Sequence, residues 1–132
     1  MSEPFDIITF GLKPNKMGSI LEQLNSRYYT GDTSFISLAA GARTSLFHEK
    51  LGKDKKVSLV MTNIPVEIGK GVLGVYPQDL KFDFLEELGH TIYLKSEDDI
   101  DRFCSLVACG SGFCYKILNM YKENAELLNF QT

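Results

Sequence analysis

Apolar residues in the first half of the chain form short runs that alternate with segments of helical periodicity. The runs at 5–10, 34–38 and 57–61 are rich in β-branched and aromatic residues and show little polar alternation, which is typical of strands covered on both faces. Between them, residues 14–24 and 44–51 carry apolar positions at helical spacing. This order predicts right-handed βαβ units around a parallel sheet, and therefore an α/β fold.

The second half of the chain has more glycine and a long apolar C-terminal stretch. Its turns are marked by Asn before Ile-Pro and by glycines after apolar segments. In chain order, the pattern predicts a turn at 62–65, strands at 71–76 and 91–94 with a helix at 79–88 between them, and a helix from Asp98 to about Leu128 that is interrupted around 110–112.

Length and charge narrow the class of protein. The chain has 132 residues, 44% of them apolar, which fits one ordinary folded domain. A net charge of −3 offers no electrostatic footprint for nucleic acid or an anionic membrane surface. The N-terminal stretch lacks the basic region of a secretory signal, and the apolar runs fall short of the roughly 20 residues of a membrane span. We therefore expect a cytoplasmic protein with neither nucleic acid nor membrane as a partner.

Cysteine and histidine spacing predicts no metal site. Cys104, Cys109 and Cys114 lie five residues apart, whereas zinc sites favour closer pairs with a second pair elsewhere. An odd number of cysteines also argues against a disulfide framework. We interpret all three as free thiols on helices. His48 and His90 lie too far apart in the sequence to form a metal motif.

Six short motifs in a fixed order carry a resemblance to a known family. They are Asp6–Pro14 (DIITFGLKP), Ser37–Gly41 (SLAAG), Val60–Pro65 (VMTNIP), Gly69–Val72 (GKGV), Glu87–Gly89 (ELG), and Glu97 four residues before Asp101. Over nearly its whole length, the chain resembles the central half of the pyrroline-5-carboxylate reductases.

The resemblance implies a fold and a domain division. Residues 1–95 are expected to form a partial Rossmann-like parallel sheet, a nucleotide-binding domain without its first strands. Residues 96–132 are expected to begin the helical dimerisation domain. Enzymes of this family are about twice as long, so the chain looks truncated. It is expected to lack the N-terminal GxGxxG segment and the C-terminal dimerisation and substrate-loop region.

One family motif has two candidate registers here. The family has a Gly-Ser-Gly-Pro-aromatic stretch, and either residues 110–112 stand for its Gly-Ser-Gly or residues 108–113 cover the whole stretch without a gap. We prefer the ungapped register, since Glu97, Asp101 and Cys104 then fall where the family has Glu, Asp and Thr. Neither register has the proline, so the helix junction is expected to differ there.

The resemblance also implies which residues hold ligands. In the family, NADPH transfers a hydride to the C=N carbon of 1-pyrroline-5-carboxylate, which makes proline, and the protein mainly positions the reactants. No residue of this chain is predicted to be catalytic. The residues predicted to contact NADP are Leu12, Lys13 and Pro14, beside the ribose and nicotinamide, and Ala39, Ala40 and Gly41, as a floor of small residues. The residues predicted to line the substrate site are Met61, Thr62, Asn63 and Pro65.

These expectations leave two classes of function open. The first is an NADP-dependent oxidoreductase of the family that is inactive by itself, or one half of a split reductase completed by a separate N-terminal fragment. The second is a non-catalytic oligomeric interaction protein that retains the reductase core. In both, we expect a homo-oligomer, such as a dimer, formed through the edge strand at 5–10, the helix at 111–128, or both.

Overall fold

Five strands form one sheet with the spatial order β1–β2–β3–β4–β5 in the computed structural model, which describes residues 3–128. The strands are β1 (Ile7–Phe10), β2 (Ser34–Ser37), β3 (Lys56–Met61), β4 (Gly71–Tyr76) and β5 (Gly89–Tyr93). The α-helices are α1 (Pro14–Gln23), α2 (Thr44–Leu51), α3 (Glu97–Phe103) and α4 (Gly110–Leu127). Short 3-10 turns cover Ser26–Tyr28, Ile64–Ile68 and Asp83–Leu88.

The sheet is mixed. Strands β1, β2 and β3 are parallel, β4 is antiparallel to β3, and β5 is parallel to β4. Parallel neighbours need a crossover of about a dozen residues or more, and the connection at 62–70 is too short to provide one, so the chain returns beside β3 in the opposite direction. The α/β class with a Rossmann-like sheet and a C-terminal helical segment is confirmed. Strands β1–β3 form one parallel set, and β4 and β5 form a second set that is antiparallel to the first.

The helix predicted at 79–88 is wrong, because that segment is a loop followed by a 3-10 turn. Strands β4 and β5 are parallel, so residues 77–88 must carry the chain back along the whole length of β4. Phe82, Leu85 and Leu88, spaced three residues apart, all pack in one core cluster on the sheet. Three residues per turn is the period of a 3-10 helix and not of an α-helix, so this packing favours the 3-10 form.

The two faces of the sheet have different cores. On one face, helices α1, α2 and α3 cover an aromatic cluster in which Phe10 packs against Phe35 and Phe47, with ring centroids 6.4 and 5.5 Å apart. On the other face, the 77–88 crossover covers Ile36, Val60 and the alternate residues of β4. Strands β2 and β3 are therefore buried on both faces, as their unbroken apolar runs predicted. Strand β1 lies at the edge of the sheet and is mostly exposed on the second face.

Helix α3 is fixed to the sheet by a contact that requires a glycine. Phe103 and Ile100 point into the core from α3. The Phe103 ring covers Gly74 of β4 so closely that a Cβ at position 74 would lie 2.8 Å from Phe103 Cγ. At its other end, α3 begins with Ser96, whose Oγ accepts a hydrogen bond from the Asp99 amide at 3.3 Å, a favourable N-cap.

The C-terminal region is helical from Glu97 to Leu127, and the break predicted at 110–112 is wrong. Between α3 and α4, the segment Cys104–Cys109 forms a π-helix. This wider turn takes up one extra residue without ending the helix. Ser111 remains inside the helix, and its hydroxyl donates to the carbonyl of Ala108 at 3.0 Å. The glycines on either side of Ser111 are therefore compatible with a continuous helix.

This long helix also satisfies the length and composition of a membrane span. The segment Glu97–Leu127 contains an 18-residue window with a mean hydropathy of 1.2, and 6% of that window is buried inside the described chain. A single helix of this kind is weak evidence for a membrane. The sequence-based expectation that the protein has no membrane partner stays a prediction. The division into domains 1–95 and 96–132 also stays a prediction. Residues 1, 2 and 129–132, at the outer ends of these two domains, lie outside the described residues.

The Gly74–Phe103 contact leads to a stability prediction. We expect Gly74→Ala to lower the free energy of unfolding by about 1–3 kcal/mol, since the new methyl group overlaps the Phe103 ring. Gly18→Ala is the matched control, because Gly18 lies inside α1 and nothing lies within 4 Å of the position that its Cβ would take. That change should raise stability by about 0.5–1 kcal/mol. Urea denaturation measures both, and equal midpoints for the two variants would contradict the close contact.

Candidate functional site

Three loops meet at one edge of the sheet. Strands β1, β2 and β3 are parallel, and Phe10, Ser37 and Leu59 are register partners, so the loops that follow these strands leave the sheet at the same end. The amide of Leu38 donates to the carbonyl of Phe10 at 3.0 Å, which ties the first two loops together. Neighbouring strands are about 4.8 Å apart, so the three loops lie within about 10 Å of one another. Ligands of open α/β sheets bind at this end of the parallel strands.

The loop after β2 offers a small, open surface. Ala39 is buried in the core, whereas Ala40 and Gly41 are exposed. Gly41 has φ +75°, a conformation that side chains other than glycine rarely adopt. Nothing in the described chain lies within 4 Å of the position that a Gly41 Cβ would take. Two of the three residues predicted as a floor therefore present little more than backbone, which a flat ring can approach, and Ala39 supports them from below.

The loop after β1 presents a cation but few backbone donors. Lys13 is exposed at the N-cap of α1 without a side-chain capping bond, and Pro14 occupies the first turn. Proline has no N–H, so this helix start has fewer donors for an anion than a glycine-rich turn has. Leu12 is half-buried against the core. The loop therefore suits a ligand group of low negative charge beside Lys13 better than it suits a pyrophosphate.

The loop after β3 combines structural and available polar groups. Met61 is buried in the core, and the Asn63 Oδ1 accepts a hydrogen bond from the Val72 amide at 3.0 Å, so Asn63 orders the start of β4. Pro65 lies in the first turn of the 3-10 segment. The Thr62 Oγ1 is buried and has no hydrogen-bond partner among residues 3–128. Of the four predicted substrate-site residues, Thr62 has the polar group that a ligand could still satisfy.

A cluster of charged residues next to these loops was not predicted as part of the site. Arg43 begins α2 directly after the small-residue loop, and its Nη2 lies 2.6 Å from Asp101 Oδ2 of α3. The Thr44 amide donates to Glu97 Oε1 at 2.7 Å. The hydrogen bond that Arg43 donates to Asp101, followed by the negative charge of Asp101, raises the pKa of Arg43. Sequence reasoning noted Glu97 and Asp101, four residues apart, but nothing local pairs them with residues more than fifty positions earlier.

These contacts hold the two helix starts together, and the cluster is defined here as the α2–α3 clamp (Arg43, Thr44, Glu97 and Asp101). The clamp fixes the position of the chain immediately after Gly41. It therefore also fixes the position of the open surface at Ala40. Arg43 Nη1 is buried without a partner in the described part of the chain. The clamp therefore holds a guanidinium group with one nitrogen unused beside the three loops.

The side chains at this end of the sheet can be tested against two kinds of bound group, a metal ion and a nicotinamide cofactor. Residues 3–128 contain no cluster of three His, Cys, Asp or Glu side chains that could hold a metal ion. For a nicotinamide cofactor, Ala40 and Gly41 allow close approach of a flat ring, Lys13 supplies a positive charge, and Thr62 supplies a hydroxyl. These residues fit the nicotinamide–ribose side of NADP, whereas the turn at Pro14 fits its pyrophosphate poorly.

Comparison with known proteins defines first the structural class of the chain and then the proteins to which it is related. No family model matches the chain. In fold, it is similar to the pyrroline-5-carboxylate reductase of Coxiella burnetii, with a TM-score of 0.76 and 25% identity over 96% of this chain and 50% of that one. It is also similar to the NADP-bound pyrroline carboxylate reductase of Plasmodium falciparum, with a TM-score of 0.80 and 23% identity over 96% of this chain and 50% of that one. The class is therefore an α/β protein with the sheet and helices of these reductases.

Curated sequences agree with the structural comparison. The chain is 27% identical to the pyrroline-5-carboxylate reductase of Aquifex aeolicus over 126 residues, which are 90% of this chain and 46% of the relative. It is 31% identical to that of Kluyveromyces lactis over 125 residues, which are 89% of this chain and 42% of the relative. The chain is thus related to the pyrroline-5-carboxylate reductases, as its motifs predicted, and it spans about half the length of the curated relatives it matches.

The α2–α3 clamp leads to a second prediction. We expect Glu97→Ala to lower the free energy of unfolding by about 1–3 kcal/mol, because it leaves the Thr44 amide without its acceptor. The neighbouring Asp98→Ala removes the same charge from a side chain that is 80% exposed, against 25% for Glu97, and should change stability by less than about 0.5 kcal/mol. Thermal and urea unfolding measure both. A loss of stability no greater in Glu97→Ala than in Asp98→Ala would show that the clamp does not hold the helix starts.

Proposed function

We propose that the chain contributes the nicotinamide side of an NADP-dependent site that reduces 1-pyrroline-5-carboxylate to proline. The observation that carries the proposal is the meeting of three loops at the end of β1, β2 and β3, in a chain related to these reductases along about 90% of its length. The Plasmodium falciparum pyrroline carboxylate reductase has NADP bound. A cytoplasmic location fits this function.

In this proposal the residues bind and orient, and none is assigned proton transfer or covalent chemistry. Bound NADPH supplies the hydride for the C=N carbon. Ala40 and Gly41 let the flat ring lie close to the backbone, which favours one orientation at the reacting centre. Lys13 attracts the anionic part of the cofactor from the exposed start of α1. The Thr62 hydroxyl satisfies its hydrogen-bonding capacity with the ligand.

The same site is proposed to be incomplete as it stands. Dinucleotide-binding turns hold the pyrophosphate with several backbone N–H groups at a helix start. At the start of α1, Pro14 lacks an N–H and Lys13 makes no side-chain cap. We therefore propose that the chain by itself binds NADPH weakly and is inactive, and that activity needs a separate segment with a phosphate-binding turn.

Direct titration with NADPH tests the proposed cofactor site. We expect saturable but weak binding, followed by the cofactor's own fluorescence, which no tryptophan of the chain disturbs. Lys13→Gln should weaken binding about tenfold, equal to about 1.4 kcal/mol, because a charge-assisted contact is lost. Lys16→Gln is the matched control, since Lys16 is exposed one turn further along the same helix, and it should leave binding unchanged. No saturable binding, or equal weakening by both changes, would overturn the assignment.

The second candidate function is that of an oligomeric interaction protein, and the surface of α4 favours it. Ile117, Met120, Tyr121 and Asn124 lie on one face of α4 and line a groove of about 210 Å³. Ile117 and Met120 are each more than half exposed. An exposed apolar stripe along a helix commonly marks a protein–protein interface. We propose that a second copy of the chain covers it, and that the exposed β1 edge is an additional pairing surface.

Light scattering with matched variants tests self-association. We expect the chain to be oligomeric at tens of micromolar, and Ile117→Asp to shift it toward monomer by placing a charge in the apolar face. Asn119→Asp introduces the same side chain about 200° around the helix and should leave the assembly intact. Ile7→Lys reports on the β1 edge separately. A monodisperse monomer before any substitution would contradict both surfaces, whereas loss of assembly only in Ile7→Lys would transfer the interface to β1.

A further inference from the structure

A cavity of about 290 Å³ lies at the end of the sheet opposite the three loops. Strand β4 is antiparallel to β3, with Leu59 opposite Tyr76, so β3 begins where β4 ends. One side of the cavity is formed by α2 and the start of β3, and the other side by the turn after β4. It borders Thr44 of the α2–α3 clamp but none of the loop residues of the candidate site. Its charged and aromatic lining residues are His48, Lys53, Lys55, Lys56, Tyr76 and Asp79.

Two of the three lysines in this lining already have a carboxylate partner. The Nζ of Lys55 lies 2.6 Å from Oδ2 of Asp54, and the Nζ of Lys56 lies 3.7 Å from Oδ1 of Asp32. The Nε2 of His48 lies 3.3 Å from the carbonyl oxygen of Lys55, which holds α2 against the start of β3. These contacts order this side of the cavity and balance the charge of two of its lysines.

The two remaining charged residues of the lining have opposite signs. Lys53 and Asp79 are exposed, and neither forms an ion pair within residues 3–128. Lys53 belongs to the side formed by α2 and β3, whereas Asp79 belongs to the turn after β4. An anion would be attracted by Lys53 and repelled by Asp79, and the reverse holds for a cation. A ligand with one charge of each sign can use both residues.

The size and the apolar part of the cavity narrow the ligand further. A volume of about 290 Å³ is at the lower end of the range for small-molecule sites. The cavity therefore suits a single small metabolite better than a peptide or a nucleotide. Val57, Pro77 and Leu80 complete the lining with apolar surface, which can cover a small apolar group of the ligand.

We propose that this cavity binds a free α-amino acid with an apolar side chain. The carboxylate of the ligand contacts Lys53, its ammonium group contacts Asp79, and its side chain packs against the apolar lining. Such a molecule carries both charges at neutral pH and has no net charge, so it gains from both residues without a repulsive contact. The site lies at the opposite end of the sheet from the candidate site, and the proposal is independent of the proposed reductase function.

Nuclear magnetic resonance titration of the whole chain, labelled with nitrogen-15, tests the proposal with L-valine as the probe. We expect saturable binding with a Kd of about 0.1–1 mM, which a ligand of this size can reach. The largest amide shifts should fall at residues 53–57 and 76–80. N-acetyl-L-valine lacks the ammonium group and L-valinamide lacks the carboxylate, so each should bind at least about tenfold more weakly, because a charge-assisted contact is lost.

Variants connect each charge of the ligand with one residue. Lys53→Gln and Asp79→Asn should each weaken the binding of L-valine about tenfold. Lys53→Gln should also bind L-valine and L-valinamide equally, and Asp79→Asn should bind L-valine and N-acetyl-L-valine equally. Lys70→Gln and Asp83→Asn are the matched controls, because both residues are exposed and lie outside the lining. They should leave the affinity unchanged.

The same titrations can contradict the proposal. It is wrong if L-valine causes no saturable shift below about 10 mM, or if the shifts fall outside the two segments. Tighter binding of N-acetyl-L-valine or of inorganic phosphate than of L-valine would show an anion site instead. Equal weakening in the variants and their controls would remove the assigned contacts. Circular dichroism confirms that all four variants are folded.

Discussion

The contact between Gly74 and Phe103 is the point on which the rest of the architecture depends. A β-strand residue without a side chain lets an aromatic ring of α3 lie directly on the sheet, where an added methyl group would lie 2.8 Å from the ring. This contact fixes α3 over β3 and β4. The start of α3 then reaches the α2–α3 clamp beside the three loops, and its end leads into the π-turn and α4. One packing constraint thus determines the geometry of both the candidate site and the C-terminal helix.

The candidate site is open at the loop after β2 and has few backbone N–H donors for a phosphate at the loop after β1, and this asymmetry follows from the residues of the two loops. The turn after β2 presents small residues and backbone, whereas the turn after β1 starts a helix with proline. Both properties are local and agree with a relationship that covers about half the length of known reductases. This agreement supports the proposal that the chain contributes one part of a larger site.

Much of the local structure could be predicted from the sequence. The bounds of α2 and β4 match the prediction, because a helical periodicity ending at Gly52 and a glycine-flanked apolar run are signals between near neighbours. The wrong predictions concern segments whose structure depends on contacts with residues that are distant in the sequence or on geometry elsewhere in the same helix. The 79–88 segment has helix-forming residues, but Phe82, Leu85 and Leu88 pack on the sheet with the three-residue period of a 3-10 helix. At 110–112, glycine suggested a break, but a π-turn earlier in the helix absorbed the extra residue.

The sequence by itself determined the class of fold, the order of most elements and the relationship to the reductases, because periodicity, turn chemistry and motif order are properties of adjacent residues. The family resemblance also singled out the loop residues of the candidate site, and their roles in ligand binding stay predictions. Only the tertiary structure decided that β4 reverses direction, that Arg43 meets Asp101 across 58 positions, and that the C-terminal helix continues through a π-turn at Cys104–Cys109. These outcomes depend on packing between distant segments and on the width of a single helical turn, for which no local pattern of residues is specific.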